Sequence, residues 1–239
     1  DSERMQMRDG VALIPVDGPI YRYADYFTAM SGGITTDQLA KDFQRALDDP
    51  AVRAVLFVFD SPGGEATGIN ELADVIYAAR GTKPLGAYGE GYMASAAYWL
   101  ASATGDIWVD DNALVGSIGT VMGVPDPAKR VSYRIDFVSR QSPKKRVDPT
   151  SEGGRAYLQS MVDDMTEVFI ERVVRNRKMT RDQVLAIEGG MLVGQKAVDA
   201  GLADRLGSEE QAIQDLLARA KPLDARSHFY AALTQGAPA

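Results

Sequence analysis

The stretch AVRAVLFVFDSPGGEATG, Ala51 to Gly68, decides how the rest of the chain is read. From Ala51 to Asp60 it is nearly continuous in β-branched, aliphatic and aromatic residues. A strand with one wet face would alternate with polar residues, so an unbroken run suits a parallel strand covered on both faces. SPGG follows as a turn, and residues 67–80 then place Ile69, Leu72, Ala73, Ile76 and Tyr77 at helical spacing. Strand, glycine turn and helix in that order predict a parallel α/β unit.

The same alternation continues on both sides. Upstream, GVALIPVDGPI (Gly10–Ile20) reads as a buried strand, and Tyr21–Gly33 as an aromatic, glycine-containing loop. TTDQLAKDFQRALDDP reads as a helix with its N-cap at Thr35 or Thr36, and Leu39, Phe43, Ala46 and Leu47 share one face. Downstream, KPLGAYGE is a short strand, Ala94–Ala103 a small-residue helix and DIWVDD another strand. ALVGSIGTVMGV reads as a strand broken by glycines, and VSYRIDFVSR as an edge-like strand.

After Pro149 the pattern turns helical. Arg155–Arg177 carries Leu158, Met161, Val162, Met165, Phe169 and Val173 on one stripe. Further helices are predicted over Arg181–Ile187 and Glu209–Ala220, with Gly201 as a helix cap between them. From Pro222 the chain reads as a mobile tail. The expectation is one domain over residues 1–221, its long helix starting at about 151, and a tail over 222–239.

Composition narrows the chemistry. The 239 residues are 45% hydrophobic and 25% charged, with a net charge of −7, so a basic surface for nucleic acid is not expected. There is no cysteine, which removes thiolate catalysis, disulfides and cysteine-bound zinc. No apolar run approaches the roughly 20 residues that span a bilayer. The N-terminal DSERMQMRDG is polar and does not read as a signal peptide. Because it starts at Asp1, the chain reads as a trimmed product from which an anchor could have been removed.

Two motifs point to acyl chemistry. Glycines after a buried strand let the backbone present N–H groups to an oxyanion, although a plain turn uses the same residues. No Gly-Lys-Ser/Thr follows, which excludes a Walker phosphate loop. In EGYMASAAYWLASATGDIW, Ser95 opens an alanine-rich helix, where the positive helix end favours an alkoxide and an oxyanion. A Ser N-cap would look the same. The single histidine, His228, lies in the tail, so a Ser-His-Asp triad is not expected. A lysine base must be neutral, its pKa brought down from about 10.4 by burial or a neighbouring cation. SRQSPKKRVDP offers Lys144 and Lys145 beside Arg146, and also fits a solvated basic loop. Asp60, Glu65 and Glu90 read as turn and surface carboxylates, not as an acid pair or metal ligands.

VRAVLFVFDSPGGEATGINELADVIYAAR and KPLGAYGEGYMASAAYWLASATGDIWVDDNALVGSIGTV, with the later MLVGQKAVDAGLADRLG, resemble the signal peptide peptidase A family of Ser-Lys peptidases. The likeness spans about residues 10–207, and the wording SAAYWLAS is similar to the phage head-maturation (prohead) protease branch. The resemblance implies a ClpP/crotonase-like fold of repeated ββα units with a C-terminal helical segment. It implies Ser95 as nucleophile and Lys144 as general base. It also implies the Gly64 and Ala96 amides as oxyanion hole, Gly63 as the turn and Ser117 as the hydroxyl that orients the lysine. Proline replaces the branch's histidine at position 143, and a one-residue slip would promote Lys145.

A polypeptide substrate cut at small or apolar residues, no cofactor and no metal, and a homo-oligomeric ring are further implications. In such a ring, Tyr21, Tyr23, Tyr26, Phe27 and Met30 could line the cavity or the interface, and HFYAAL in the tail could occupy a neighbouring groove. Phage capsid processing and membrane signal-peptide degradation both fit, which leaves localisation and membrane association open. Two other readings are a crotonase-type acyl-CoA enzyme, indifferent to Ser95→Ala, and a catalytically inactive ring scaffold.

Overall fold

The computed structural model describes residues 4–24, 32–125 and 138–222. Its strands are β1 (Gln6–Arg8), β2 (Val11–Asp17), β3 (Ile20–Tyr21), β4 (Ile34–Thr35) and β5 (Ala54–Ser61). They continue with β6 (Leu85–Ala94), β7 (Asp106–Val109), β8 (Leu114–Gly116), β9 (Met191–Val193) and β10 (Arg205–Leu206). The α-helices are α1 (Thr36–Asp48), α2 (Ile69–Ala78), α3 (Ala96–Thr104), α4 (Glu152–Arg177), α5 (Arg181–Leu185), α6 (Gln195–Asp199) and α7 (Glu209–Arg219).

The main sheet runs β1-β2-β5-β6-β7-β10, and β8 and β9 extend it from the far half of β6. Neighbours along β2-β5-β6-β7-β10 are parallel, whereas β1 on β2 and β9 on β8 are antiparallel. β6 changes partner midway: Gly86–Gly89 pair with β7, and Tyr92–Ala94 pair with β8. The result is a mixed α/β sheet dominated by parallel pairing, as the unbroken apolar run of β5 predicted.

Successive residues of a strand point to opposite faces, and here both faces are dry. Ala12, Ile14, Val16, Val55, Phe57 and Phe59 face α1, α2 and α3. Val11, Leu13, Ala54, Leu56, Val58 and Trp108 face α7 through Ala212, Ile213 and Leu216. Thr35 caps α1, its hydroxyl accepting from the Gln38 N–H, and the helix buries Leu39, Phe43 and Ala46, while Leu47 is only partly covered. α3 is buried along its whole length, which is why its sequence is alanine-rich.

Several boundaries differ from the sequence reading. The KPLGAYGE strand extends to Ala94, because β8 supplies a second partner. Of ALVGSIGTVMGV only Leu114–Gly116 is strand. The long helix begins at Glu152, capped by the Ser151 hydroxyl accepting from the Gly154 N–H. Its apolar stripe is covered unevenly: Phe169, Ile170 and Val173 are buried, whereas Met161 is 39% exposed. A helix of 26 residues is about 39 Å long, and its first half runs past the packed core. β1, β9 and β10 were not expected. Tyr26, Phe27, Met30, most of VSYRIDFVSR, His228 and HFYAAL lie outside the described residues. No described helix is long and apolar enough to cross a membrane.

Candidate active site

Ser95 stands between the end of β6 and the start of α3, with φ 53° and ψ −123°. That region is costly for a residue with a Cβ and persists only when the surroundings impose it. They do so here: the Ser95 N–H donates to Gly116 O at 2.8 Å, and Ser95 O accepts from the Trp99 N–H at 3.0 Å. Although Ser95 occupies the N-cap position, its hydroxyl makes no capping bond. The capping role that the sequence left open is therefore not what its side chain does.

The SPGG turn packs directly against this serine. Gly63 has φ +97°, and a Cβ built there would lie 2.7 Å from Ser95 Cβ and 2.9 Å from the Ala96 nitrogen. Gly64 forms a parallel bridge with Ile20 of β3. The Ile20 N–H donates to Gly63 O and the Glu65 N–H donates to Ile20 O, both at 2.9 Å. A trans peptide holds its C=O and N–H antiparallel, so the bond from Ile20 to Gly63 O turns the Gly64 N–H away from β3. A Cβ on Gly64 would stand 1.8 Å from Ile20 O, which excludes any larger residue.

These pieces border one cavity of about 460 Å³, lined by Gly64, Glu65, Ala66, Ser95 and Ala96 and by Ser117 to Val121. Trp99, Met165, Phe169 and Gly189 complete the wall. Trp99 and Phe169 stack with centroids 4.5 Å apart at 7°, giving the cavity a rigid apolar side. Neither the Gly64 nor the Ala96 N–H takes part in a loop or cap hydrogen bond among the described residues. Ser117 also has a positive φ, 55°, and its N–H donates to Gly190 O at 2.9 Å.

Ser95, Ala96, Gly64 and Ser117 thus come together, with Gly63 behind them. Lys144 and Lys145 do not join them. They are exposed in a 3-10 turn, Pro143–Lys145, and neither lines the cavity. Lys144 Nζ lies 4.8 Å from the centroid of the Tyr157 ring. Tyr157 is eight residues, roughly 12 Å along α4, before Met165 in the cavity wall.

The nearby carboxylates do separate jobs. Asp60 accepts from the Tyr92 N–H at 2.9 Å, and Glu65 from the Arg22 N–H at 2.9 Å. Asp17 and Asp60 are register partners on neighbouring strands. Burial, with Asp60 nearby and Arg4 opposing, raises the Asp17 pKa; burial with Asp17, Asp60 and Glu209 raises that of Glu90. No group of three potential metal ligands occurs among the described residues. Ser61 escaped the sequence reading. It is fully buried at the end of β5, and only its place between a buried strand and Pro-Gly-Gly could have drawn notice.

Known proteins share this arrangement of sequence. Head-tail preconnector protein GP5 of Enterobacteria phage P21 is 32% identical over 211 residues, covering 86% of this chain and 42% of its own length. Capsid assembly protease C of Escherichia phage lambda is 31% identical over 214 residues, 87% of this chain and 49% of its own. Protease 4 of Haemophilus influenzae is 26% identical over 218 residues, 88% of this chain and 35% of its own. The chain spans less than half the length of each of these relatives. The signature of peptidase family S49 matches residues 78–222, which takes in Ser95, Ala96, Ser117 and Lys144. That match covers more than half of the sequence, and the chain belongs to peptidase family S49.

Proposed function

We propose that the protein is a serine endopeptidase with Ser95 as nucleophile. The observation that carries this reading is the convergence of Ser95, Ala96 and Gly64 on one cavity, with the Ser95 backbone strained and its hydroxyl not spent on capping. Ser95 Oγ attacks a peptide carbonyl carbon while its proton passes to a neutral lysine amine. The Gly64 and Ala96 N–H groups, with the positive end of α3, hold the oxyanion. The C–N bond then breaks and the lysine ammonium protonates the leaving amine. The same amine next takes a proton from water as the water oxygen adds to the acyl carbon; the ester C–O bond then breaks and the ammonium returns the proton to Ser95 Oγ. The apolar wall of Trp99, Met165 and Phe169 supports an apolar side chain at the cleaved bond.

The base is Lys144, with Lys145 as the alternative if the register slips, and Ser117 orients its amine. Since Lys144 lies along α4 away from the cavity of its own chain, we assign it to Ser95 of a neighbouring copy in a homo-oligomeric ring. Docking of that copy would also bury the amine, which favours its neutral form. The peptidase occupies one domain over residues 1–221, on ClpP/crotonase-type ββα units, followed by a tail over 222–239. The phage relatives, at 32% and 31% identity, support processing of a capsid-assembly polypeptide in preference to signal-peptide degradation.

The test is cleavage of an unstructured protein by the wild type and by Ser95→Ala, Lys144→Ala and Lys145→Ala. The first two variants should be inactive and the third active. Mixing Ser95→Ala with Lys144→Ala should restore cleavage, because each dead chain then supplies what the other lacks. A mixture that stays dead places the base within its own chain. A Ser95→Ala protein that cleaves like wild type overturns the peptidase reading.

A further inference from the structure

We infer that Ser61 is a positioning residue that fixes the oxyanion-hole turn; the inference rests on the serine-peptidase reading and names a residue outside its dyad and amides. The direction of the Gly64 N–H depends on the two torsions of Gly63, and these are set by the peptide planes on either side. The Gly63–Gly64 plane is held through Gly63 O by the Ile20 N–H at 2.9 Å. The Pro62–Gly63 plane is held through the Gly63 N–H, which donates to Ser61 Oγ at 3.2 Å. Glycine has no Cβ to restrict either rotation, so both clamps are needed to define the turn.

Ser61 Oγ does a second thing with the same atom. It donates to Gly18 O at 2.6 Å, while the Gly18 N–H donates to Asp60 O at 3.0 Å. Gly18 opens the segment that delivers Ile20 to Gly63, so one hydroxyl connects the turn to the strand that holds its other side. Ser61 is 0% exposed, so water does not replace these bonds when the hydroxyl is removed. Ser61 is also a β6 neighbour, paired in register with Met93 two residues before Ser95. The nucleophile and the turn are therefore referenced to one point. The hydroxyl's single proton is spent on Gly18 O, and Ser61 is fully buried and does not line the cavity, so it acts on the turn and not on substrate.

A loosened turn weakens what the transition state gains and leaves ground-state contacts in place. The experiment compares wild type, Ser61→Ala and Ser61→Thr on a fluorogenic peptide with an apolar residue before the cleaved bond. We expect Ser61→Ala to lower kcat about 30-fold with KM within twofold. A peptide aldehyde, whose adduct oxygen sits in the hole, should bind the variant about 30-fold more weakly, whereas the cleaved peptide acid binds it unchanged. Ser61→Thr, which keeps the hydroxyl, should stay within threefold of wild type. Equal loss of aldehyde and acid binding, or a kcat that does not move, would overturn the inference. The clamp is also read without activity: amide exchange at Gly63 should be slow in wild type and Ser61→Thr and fast in Ser61→Ala. Wild-type protein that cleaves nothing would count against the peptidase reading, while equal Gly63 exchange in all three would count against the clamp.

Discussion

Gly63 and Ser95 touch so closely that the turn has no room for a methyl group: a Cβ at position 63 would lie 2.7 Å from Ser95 Cβ. The φ of +97° adds a second penalty for any other residue. Gly63→Ala should therefore cut kcat on the order of 100-fold, as loss of an oxyanion donor does, and lower the melting temperature. Initial rates and a thermal scan check both, and unchanged rates would show that the turn is not part of the site.

Phe169 closes the cavity from α4 and is 1% exposed, stacked on Trp99. Phe169→Ala should cost about 3–5 kcal/mol in denaturant unfolding. Phe169→Leu, which leaves a smaller cavity, should cost less than Phe169→Ala and open space beside the scissile position. Profiling on a peptide library should then show bulkier apolar residues accepted before the cleaved bond. An unchanged profile would place the side-chain subsite elsewhere.

Asp17 carries a raised pKa, chiefly from burial, with Asp60 adding to it against Arg4. A carboxyl raised in the folded state binds its proton more readily there than when unfolded. This contribution to stability therefore falls as pH rises from the ordinary carboxylate value near 4 through the raised one, and stays low above it. Asp17→Asn should raise the melting temperature at pH 7 by roughly 1–2 °C, a small effect because the group is still well hydrated. Below the unfolded carboxylate value, at about pH 3, the difference should vanish. A gain that grows on acidification contradicts the sign.

Arg177 ties the end of α4 to the sheet edge. Its side chain is 4% exposed, it pairs with Asp204 at 2.9 Å, and it donates to Gly105 O and Gly201 O. Arg177→Met should cost about 3 kcal/mol, the low end for breaking a buried pair, because Asp204 is one-third exposed. Since the contact is remote from the cavity lining, kcat of the folded fraction should hold.

The parallel core was legible because burial on both faces leaves a mark on single strands: β5 has no polar residue from Ala54 to Phe59. The helices around it were legible from their apolar faces and caps, Thr35 above all. β9 and β10, three and two residues long, were not, because pairing alone defines them and no periodicity fits in so few positions. Ser95, Gly63 and Gly64 could be picked out because a serine and two glycines sit at strand-to-helix junctions. The role of Ser61 depends on Gly18, 43 positions away in sequence, and a contact of that kind leaves no local pattern. The exposed first half of α4 could not be told from the buried second half, since both carry apolar residues at helical spacing.

The two faces of the sheet are covered by helices from different parts of the sequence. α1, α2 and α3 follow their strands at once, but Val11, Leu13, Leu56, Val58 and Trp108 are covered by Ala212, Ile213 and Leu216 of α7. During synthesis, that second face stays open to water until residues 209–219 have left the ribosome. The Ser95 region is made more than a hundred residues earlier, yet the sheet that holds it can close only late. Nascent chains should therefore be insoluble or chaperone-bound when arrested before α7, and the cavity around Ser95 takes its final shape only once the C-terminal helix has been made.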